Sequence, residues 1–213
     1  MRNYLTEAIG TFFLVLTVGL TVSQAVPMAP LAIGCSLMIM VYMGGHISGG
    51  HYNPAVSFAV CLRGKLPARE LLLYWLAQVI GAVIAAAVVY YTLGKTYALA
   101  PGANVGIGPA LLIEALFTFA LCIVVLNTAT SPETAGNSYY GLAIGFTIVV
   151  AAFAGGGISG GAFNPAVGLG PALFSAAVGA GLGPVWLYIV GPLIGGAAAA
   201  AVYRLQNPAQ ATT

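Results

Sequence analysis

The chain has 213 residues, of which 60% are hydrophobic and only 5% are charged, and its formal net charge is +2. Soluble domains carry about 25% charged residues, so this composition excludes a soluble fold and leaves little room for any soluble domain. The small net charge gives no reason to expect a nucleic-acid partner.

Six transmembrane helices are predicted from the apolar runs. Residues 8–62 and residues 134–203 contain no Asp, Glu, Lys or Arg. Each segment is far longer than the roughly 20 residues that cross a bilayer once, so each holds more than one crossing. The N-terminal run is too long for a signal-peptide core and lacks a convincing cleavage site. In chain order, we expect spans at about residues 4–23, 30–47, 70–93, 109–129, 138–155 and 184–205.

Two further apolar segments are too short to cross a membrane. One is NPAVSFAVCL at residues 53–62, and the other is NPAVGLGPALF at residues 164–174. Segments of roughly ten apolar residues are typical of re-entrant half-helices. The predicted fold class is therefore an all-α membrane protein with six transmembrane helices and two re-entrant half-helices.

The half-helices belong to an internal repeat. GGHISGGHYNPAV at residues 44–56 matches GGGISGGAFNPAV at residues 155–167, and EAIGTFFLV near the N-terminus matches EALFTFALC in the second half. Each half holds three spans, an odd number, so the second half must be inserted upside down relative to the first. We expect a single transmembrane domain over residues 1–213, with inverted repeats at about residues 1–95 and 108–205.

The basic residues predict the orientation in the membrane. With six spans, all of them except Lys95 fall on one side, and the positive-inside rule makes that side cytoplasmic. Both termini are then cytoplasmic in a multi-pass protein of the cell membrane. The residues on the cytoplasmic side are Arg2, Arg63, Lys65, Arg69 and Arg204.

Each Asn-Pro pair has the signature of a helix start. Asn is a favoured N-cap, and Pro suits the first helical position because its missing N–H has no intrahelical partner there. We expect Asn53 and Asn164 to cap their half-helices with the side-chain oxygen, leaving the NH₂ group as a donor. In inverted halves the two N-termini meet near the bilayer centre, and each carries about half a positive charge.

The glycines before each half-helix predict extended, non-helical backbone. Its carbonyl oxygens are tolerable in a membrane only where they line water or pack in protein. Together, the Asn caps and the glycine segments predict a narrow path with carbonyl acceptors and two Asn donors. Such a path suits small uncharged molecules and is hostile to ions. These glycines are Gly44, Gly45, Gly49, Gly50, Gly155, Gly156, Gly157, Gly160 and Gly161.

Two Asn-Pro-Ala boxes in inverted halves, with GGHISGGH before the first, resemble the aquaporin or major intrinsic protein family over essentially the whole chain. A Glu in the first span of each half adds to the resemblance. It implies a homotetramer with a pore in each subunit, through which water and small neutral solutes pass across the bilayer. The boxes are Asn53, Pro54 and Ala55 with Asn164, Pro165 and Ala166.

The resemblance also implies a selectivity filter nearer the outside, at Ile33, Ala152, Gly161 and Val167. Strictly water-selective members hold an aromatic residue, a His, a small residue and an Arg in this ring. Here Ala152 and Val167 stand in place of the His and the Arg. The ring is therefore expected to be wider and less polar, and to lack the charge that helps exclude cations.

The filter pattern is similar in part to that of plant vacuolar-membrane aquaporins. Their implied solutes are water with urea, hydrogen peroxide and, in some members, ammonia. Glycerol facilitators typically have Arg and Asp after the second box, where this chain has Val167 and Gly168. This difference weakens a glycerol-specific interpretation and leaves glycerol passage open. An apolar ring could also slow water by partial dewetting.

Four ionisable residues in or near the spans have competing interpretations. Glu7 and Glu114 suggest a proton relay, because intramembrane acids are functional by default. Their recurrence in both repeats favours a structural role instead, in which they accept hydrogen bonds from the re-entrant backbone. His46 and His51 precede the first box without a third metal ligand, so loop packing is favoured over a pore-mouth or pH-gating contact.

Three other functions compete with a water and solute channel. A glycerol or polyol facilitator with low water flux is the alternative within the channel class. A secondary transporter is the next, since inverted repeats with broken helices also build alternating-access carriers. It would have only the two glutamates to bind a coupling ion. A membrane enzyme has no candidate nucleophile–base pair or metal cluster, so we expect no enzyme, no cofactor and no metal.

Overall fold

A computed structural model describes residues 1–208, and within that range every regular element is a helix. Residues 209–213 of the expected domain lie outside the described part. The predicted fold class is confirmed, since the described residues form six long apolar helices and two short ones. The long helices are α1 (Arg2–Ser23), α2 (Ala29–Ser48), α4 (Ala68–Leu93), α5 (Ile107–Val125), α6 (Tyr140–Ser159) and α8 (Leu187–Gln206). The short helices are α3 (Pro54–Leu62) and α7 (Pro165–Ala177).

The segment between α5 and α6 is short and helical in part. After Val125 the chain continues as a π-helical turn over Leu126–Thr130 and then as a 3₁₀ turn over Pro132–Thr134. The side chain of Asn137 donates to the Thr128 carbonyl oxygen at 2.7 Å, so the loop folds back on the end of the π turn. This donor matters because the last carbonyls of a helix have no partner inside it.

The elements run long, long, short, long in each half of the chain. α1 packs on α4 in the first half, α5 packs on α8 in the second, and α2 against α6 joins the halves. The two short helices lie between these pairs, with α3 against α8 and α7 against α4. Each short helix therefore rests on the last long helix of the other half.

The short helices point in opposite directions. At one end of the molecule, the Arg63 guanidinium lies 4.7 Å from the centre of the Tyr203 ring, and Arg204 donates to the carbonyl of Leu62. We call this end, where α3 and α8 finish, the basic end. At the other end, Ser175 in the last turn of α7 donates to the carbonyl of Tyr97 at 3.3 Å. The N-termini of α3 and α7 therefore face each other in the interior.

The prediction of extended backbone at every glycine before the boxes was wrong for most of them. α2 continues as a helix to Ser48 and α6 to Ser159. Helix is the state that pairs backbone groups without water, so it persists until a left-handed glycine ends it. The two helices end at Gly49 (φ 93°) and Gly160 (φ 96°). The glycines that follow them, Gly50 and Gly161, also have a positive φ. Gly44, Gly45, Gly155, Gly156 and Gly157 are helical.

Glycines set the distance between the paired long helices. A Cβ atom on Gly81 of α4 would lie 2.3 Å from the carbonyl oxygen of Ala8 in α1. The equivalent atom on Gly195 of α8 would lie 2.3 Å from the carbonyl oxygen of Ala115 in α5. Backbones approach this closely in membranes because helix association there depends on packing rather than on exclusion of water.

A buried carboxylate in α1 holds the first re-entrant segment. Glu7 is fully buried, and its Oε1 accepts from the hydroxyl of Ser48 at 2.6 Å and from the N–H of His51 at 2.9 Å. Its Oε2 accepts from the N–H of Tyr52 at 2.6 Å and from the amide of Gln78 at 2.8 Å. Four donors fill the four lone-pair positions of a carboxylate.

Glu114 of α5 holds the second re-entrant segment in the same manner. Its Oε1 accepts from the hydroxyl of Ser159 at 2.7 Å and from the N–H of Ala162 at 3.0 Å, and its Oε2 accepts from the N–H of Phe163 at 2.6 Å. Without these acceptors the two N–H groups would be buried and unpaired. Each carboxylate thus fixes the backbone that leads into a half-helix.

We predict that Gly195→Ala destabilises the protein by about 1–3 kcal/mol, the usual cost of adding a methyl group to a closely packed interface. The added Cβ would meet backbone atoms of α5, which cannot rotate away. Thermal unfolding in detergent, followed by tryptophan fluorescence, measures the effect. Gly108→Ala is the matched control, because that glycine is exposed in the first turn of α5 with open space around it. Equal melting temperatures for the two variants would contradict the packing argument.

We predict that Glu114→Gln lowers stability by about 1–3 kcal/mol, because the carboxamide NH₂ would face the backbone N–H of Ala162 or Phe163 and leave it unpaired. The same melting assay measures the loss. Glu133→Gln is the control, since Glu133 is exposed in the 3₁₀ turn. A Glu114→Gln protein as stable as this control would show that the carboxylate is not an anchor.

Candidate permeation path

Asn53 and Asn164 cap the two half-helices. Both have extended backbone, with φ of −155° and −162°. The Oδ1 of Asn53 accepts from the N–H of Ala55 at 2.8 Å, and the Oδ1 of Asn164 accepts from the N–H of Ala166 at 2.9 Å. The proline after each Asn occupies the first helical position. The Asn cap and the proline at the first helical position therefore account for the start of both short helices.

The two Asn side chains also bind the backbone of the opposite half. The Nδ2 of Asn53 donates to the carbonyl of Phe163, and the Nδ2 of Asn164 donates to the carbonyl of Tyr52, each at 2.9 Å. Tyr52 and Phe163 have positive φ angles of 47° and 48°, which non-glycine residues seldom adopt. An amide NH₂ has two hydrogens, so one of each pair remains for the path. The sequence pattern predicts the free donors but not this reciprocal pair of bonds.

A narrow cavity lies between the half-helix N-termini. The space open to the centre of a water molecule is about 30 Å³, and one water needs about 10–15 Å³ of such space, so the cavity admits only a few small molecules. Most of its other lining side chains are aliphatic. The lining includes both caps and all four expected filter positions: Asn53, Asn164, Ile33, Ala152, Gly161 and Val167.

The expected filter positions come from four different segments. Ile33 lies in α2, Ala152 in α6, Gly161 in the second re-entrant segment and Val167 in the first turn of α7. Val167 is buried, with 3% of its surface exposed. Gly161 has a φ of 71°, a conformation that favours glycine, so the residue at this position is constrained by the turn itself. Aliphatic side chains at the other three positions donate no hydrogen bonds to the cavity.

The structure separates the two histidines. His51 is buried, lines the central cavity, and also lines a vestibule of about 680 Å³ at the basic end. His46 is exposed in the last turn of α2 and lines a neighbouring pocket with Lys65. Only His51 of this pair adjoins the cavity between the half-helices.

Two polar residues beside His51 do not stand out in the sequence. The Oγ of Ser57 lies 3.1 Å from the Nδ1 of His51, and the amide of Gln78 donates to Ser57 at 2.9 Å. Both residues are fully buried. A signal was available in the repeat, because NPAVS in the first half becomes NPAVG in the second, with Gly168 in place of Ser57.

Comparisons with known proteins give one family. The model of the major intrinsic protein family matches residues 1–203. The chain is 37% identical to the glycerol uptake facilitator protein-like 6 of Lactiplantibacillus plantarum over 97% of this chain and 99% of that protein. It is 35% identical to aquaporin NIP1-1 of Zea mays over 96% of this chain and 74% of that protein. It is 38% identical to aquaporin TIP1-2 of Musa acuminata over 87% of this chain and 73% of that protein.

A solved structure shares the fold. The aquaglyceroporin from Plasmodium falciparum superposes with a TM-score of 0.85 over 100% of this chain and 99% of that one, at 20% identity. The six spans and two half-helices therefore have a known counterpart as an arrangement. Since the family model spans residues 1–203 of 213, this chain belongs to the major intrinsic protein family of membrane channels for water and small solutes.

Proposed function

We propose that the protein is a passive channel for water and small uncharged solutes, among them urea, hydrogen peroxide and ammonia. The observation that carries the proposal is the narrow cavity between Asn53 and Asn164. Each Asn is held by its cap and by the backbone of the other half, so its remaining N–H has a fixed direction. A fixed donor in a largely aliphatic cavity replaces part of the hydration that a neutral solute loses on entry.

Ions are excluded by the opposed half-helices. Both N-termini face the cavity, and each contributes about half a positive charge, so a cation meets repulsion from two sides. The buried acids Glu7 and Glu114 offer no free oxygen to coordinate a cation, because their carboxylate oxygens accept hydrogen bonds from the re-entrant segments. A neutral molecule avoids both the repulsion and the cost of dehydrating a charge.

The ring of Ile33, Ala152, Gly161 and Val167 acts as a wide, apolar filter. Small side chains leave room for solutes larger than water, such as urea. The ring donates no side-chain hydrogen bonds and carries no charge, so the dipoles and the two Asn amides supply the selectivity against ions. Partial dewetting of such a ring would limit the water flux.

A glycerol facilitator with low water flux is the second candidate. A relative that matches nearly end to end bears the name of a glycerol uptake facilitator, which favours this candidate. The residues after the second box, Val167 and Gly168, favour the first. An alternating-access carrier ranks below both, since the cavity lining of the described residues includes no acid that could bind a coupling ion.

The channel acts in the cell membrane as one transmembrane domain over residues 1–213, with inverted repeats at about residues 1–95 and 108–205. The basic end, with Arg63 and Arg204, faces the cytoplasm together with both termini, as the positive-inside rule requires. We propose a homotetramer with one pore per subunit. Large apolar side chains exposed on the long helices, such as Phe13, Ile39 and Phe153, would then contact lipid or a second copy.

Stopped-flow light scattering of proteoliposomes tests the proposal by ranking water, urea, hydrogen peroxide, ammonia and glycerol. We expect urea flux well above that of empty vesicles, proportional to the gradient and independent of Na⁺ or H⁺ gradients. Saturating, gradient-coupled flux would favour the carrier. Glycerol flux far above both water and urea flux would favour the facilitator.

We predict that Val167→Arg reduces urea and glycerol flux more than water flux, because a long cationic side chain narrows the ring. The same stopped-flow assay measures the ratio. Val178→Arg is the control, since it adds the same charge at the opposite end of the same half-helix, where Val178 is 47% exposed. An equal loss for all three solutes would count against the wide filter.

A further inference from the structure

The inverted repeat gives each position along the path a counterpart in the other half. Asn53 and Asn164 are 111 positions apart, and so are Ser48 and Ser159, whose hydroxyls donate to the two anchoring carboxylates. The same offset therefore relates the two re-entrant segments to each other and α2 to α6. The two anchoring glutamates are 107 positions apart, which relates α1 to α5.

The first of these offsets defines a second ring of four positions. We call the four expected filter positions the outer ring and their counterparts the inner ring. The inner ring lies nearer the basic end, because α2 ends there at Ser48, which lines the vestibule. The two rings have the same residue types except that Val41 replaces Ala152. The outer ring is Ile33, Ala152, Gly161 and Val167, and the inner ring, in the same order, is Ile144, Val41, Gly50 and Val56.

The cavity between the half-helices follows this symmetry with one exception. Its lining positions in one half recur at the counterpart positions of the other half, as Leu14 and Leu121 do. Among the described residues, Ala152 is the one lining residue whose counterpart does not line the cavity, and that counterpart is Val41. The cavity therefore includes the whole outer ring but not the whole inner ring.

The inner ring is also the more closely packed of the two rings. All of its residues are buried, whereas in the outer ring only Val167 is buried and the others are half-buried. Val41 exposes only 1% of its surface, although its side chain is larger than that of Ala152 at the equivalent place on its helix. A larger side chain facing a path of equal width would expose more surface. The path is therefore narrower at the inner ring.

The inner ring lies beside the wide vestibule at the basic end. That vestibule has a volume of about 680 Å³, whereas the central cavity has about 30 Å³. His51, which follows Gly50 of the inner ring, lines both spaces, so the path narrows at this ring. A solute that enters from the vestibule must lose most of its hydration there. The ring offers no side-chain hydrogen bond in return, and pores dewet at apolar constrictions of this kind.

We propose that the inner ring, and not the outer ring, is the narrowest part of the path, and that Val41 is a specificity-determining residue that limits the width of permeating solutes. The proposal rests on the function proposed above and locates its selection by size. Two constrictions along one path act as barriers in series, and the narrower one controls the flux. Solutes wider than water, such as urea and glycerol, depend most on this ring, because they lose more hydration and contact more of its wall.

Relieving the inner ring tests the proposal by stopped-flow light scattering of proteoliposomes. We expect Val41→Ala to raise urea permeability relative to water permeability by roughly two- to tenfold, the rate equivalent of one net hydrogen bond of hydration regained in the ring. Val150→Ala is the matched control, because Val150 is 59% exposed on α6 and does not line the cavity. We expect this control to leave the ratio unchanged. The melting temperature establishes that each variant is folded.

A matched pair of isoleucines compares the two rings with the same substitution. Ile144→Val shortens a side chain of the inner ring, and Ile33→Val shortens its counterpart in the outer ring. This smaller change keeps the proposal testable if Val41→Ala does not fold. We expect the inner variant to raise the ratio of urea to water permeability more than the outer variant does. Ala152→Val gives both rings the same residue types, and we expect it to lower urea permeability by no more than about twofold, the result of two equal barriers in series.

The outcomes separate this inference from the function on which it rests. In vesicles that conduct water and urea, an equal or larger gain from Ile33→Val than from Ile144→Val would overturn the inference alone. An unchanged ratio in folded Val41→Ala, or a loss of urea permeability well beyond twofold in Ala152→Val, would do the same. Wild-type vesicles that pass neither water nor urea would instead refute the proposed function.

Discussion

The structure depends on one constraint, which is that the backbone of a broken helix must find its hydrogen-bond partners inside the protein when lipid surrounds it. Glu7 and Glu114 meet this constraint by accepting the N–H groups of the two re-entrant segments. Asn53 and Asn164 meet it at the helix starts and also bind the carbonyls of the opposite half. These bonds join the halves at the point where solutes would pass. Stability and permeation therefore rely on the same residues.

In the channel that we propose, the chemistry of the path follows from which hydrogen-bonding groups remain once these bonds are made. Carboxylates whose oxygens are occupied by backbone donors offer little to a passing cation, and two helix N-termini repel it. What remains for a solute is a small number of fixed N–H donors in an aliphatic cavity. Such a path favours neutral molecules with an acceptor atom. In this proposal, the short side chains at Ala152 and Val167 and the absence of one at Gly161 leave room for solutes somewhat larger than water.

Local rules predicted much of this from the sequence. Hydropathy located the six spans to within a few residues, and the Asn-Pro pairs marked both half-helix starts, because capping depends on neighbours in the chain. The glycine segments were misjudged, since composition does not reveal that a helix continues through Gly45 or Gly156 until a left-handed turn. The hydrogen bonds of Gln78 to Ser57 and to Glu7 join residues 21 and 71 positions apart and could not be derived from local sequence.

The opposed arrangement of the two half-helices can be tested by an experimental density map of the protein in a lipid nanodisc, at a resolution that reveals ordered water. We expect Asn53 and Asn164 to approach each other from opposite sides at mid-membrane, each with its amide bound to the other half's backbone. We also expect a file of water density within hydrogen-bonding distance of both amides. A map with the two residues far apart, or with a dry and closed cavity between them, would contradict these expectations.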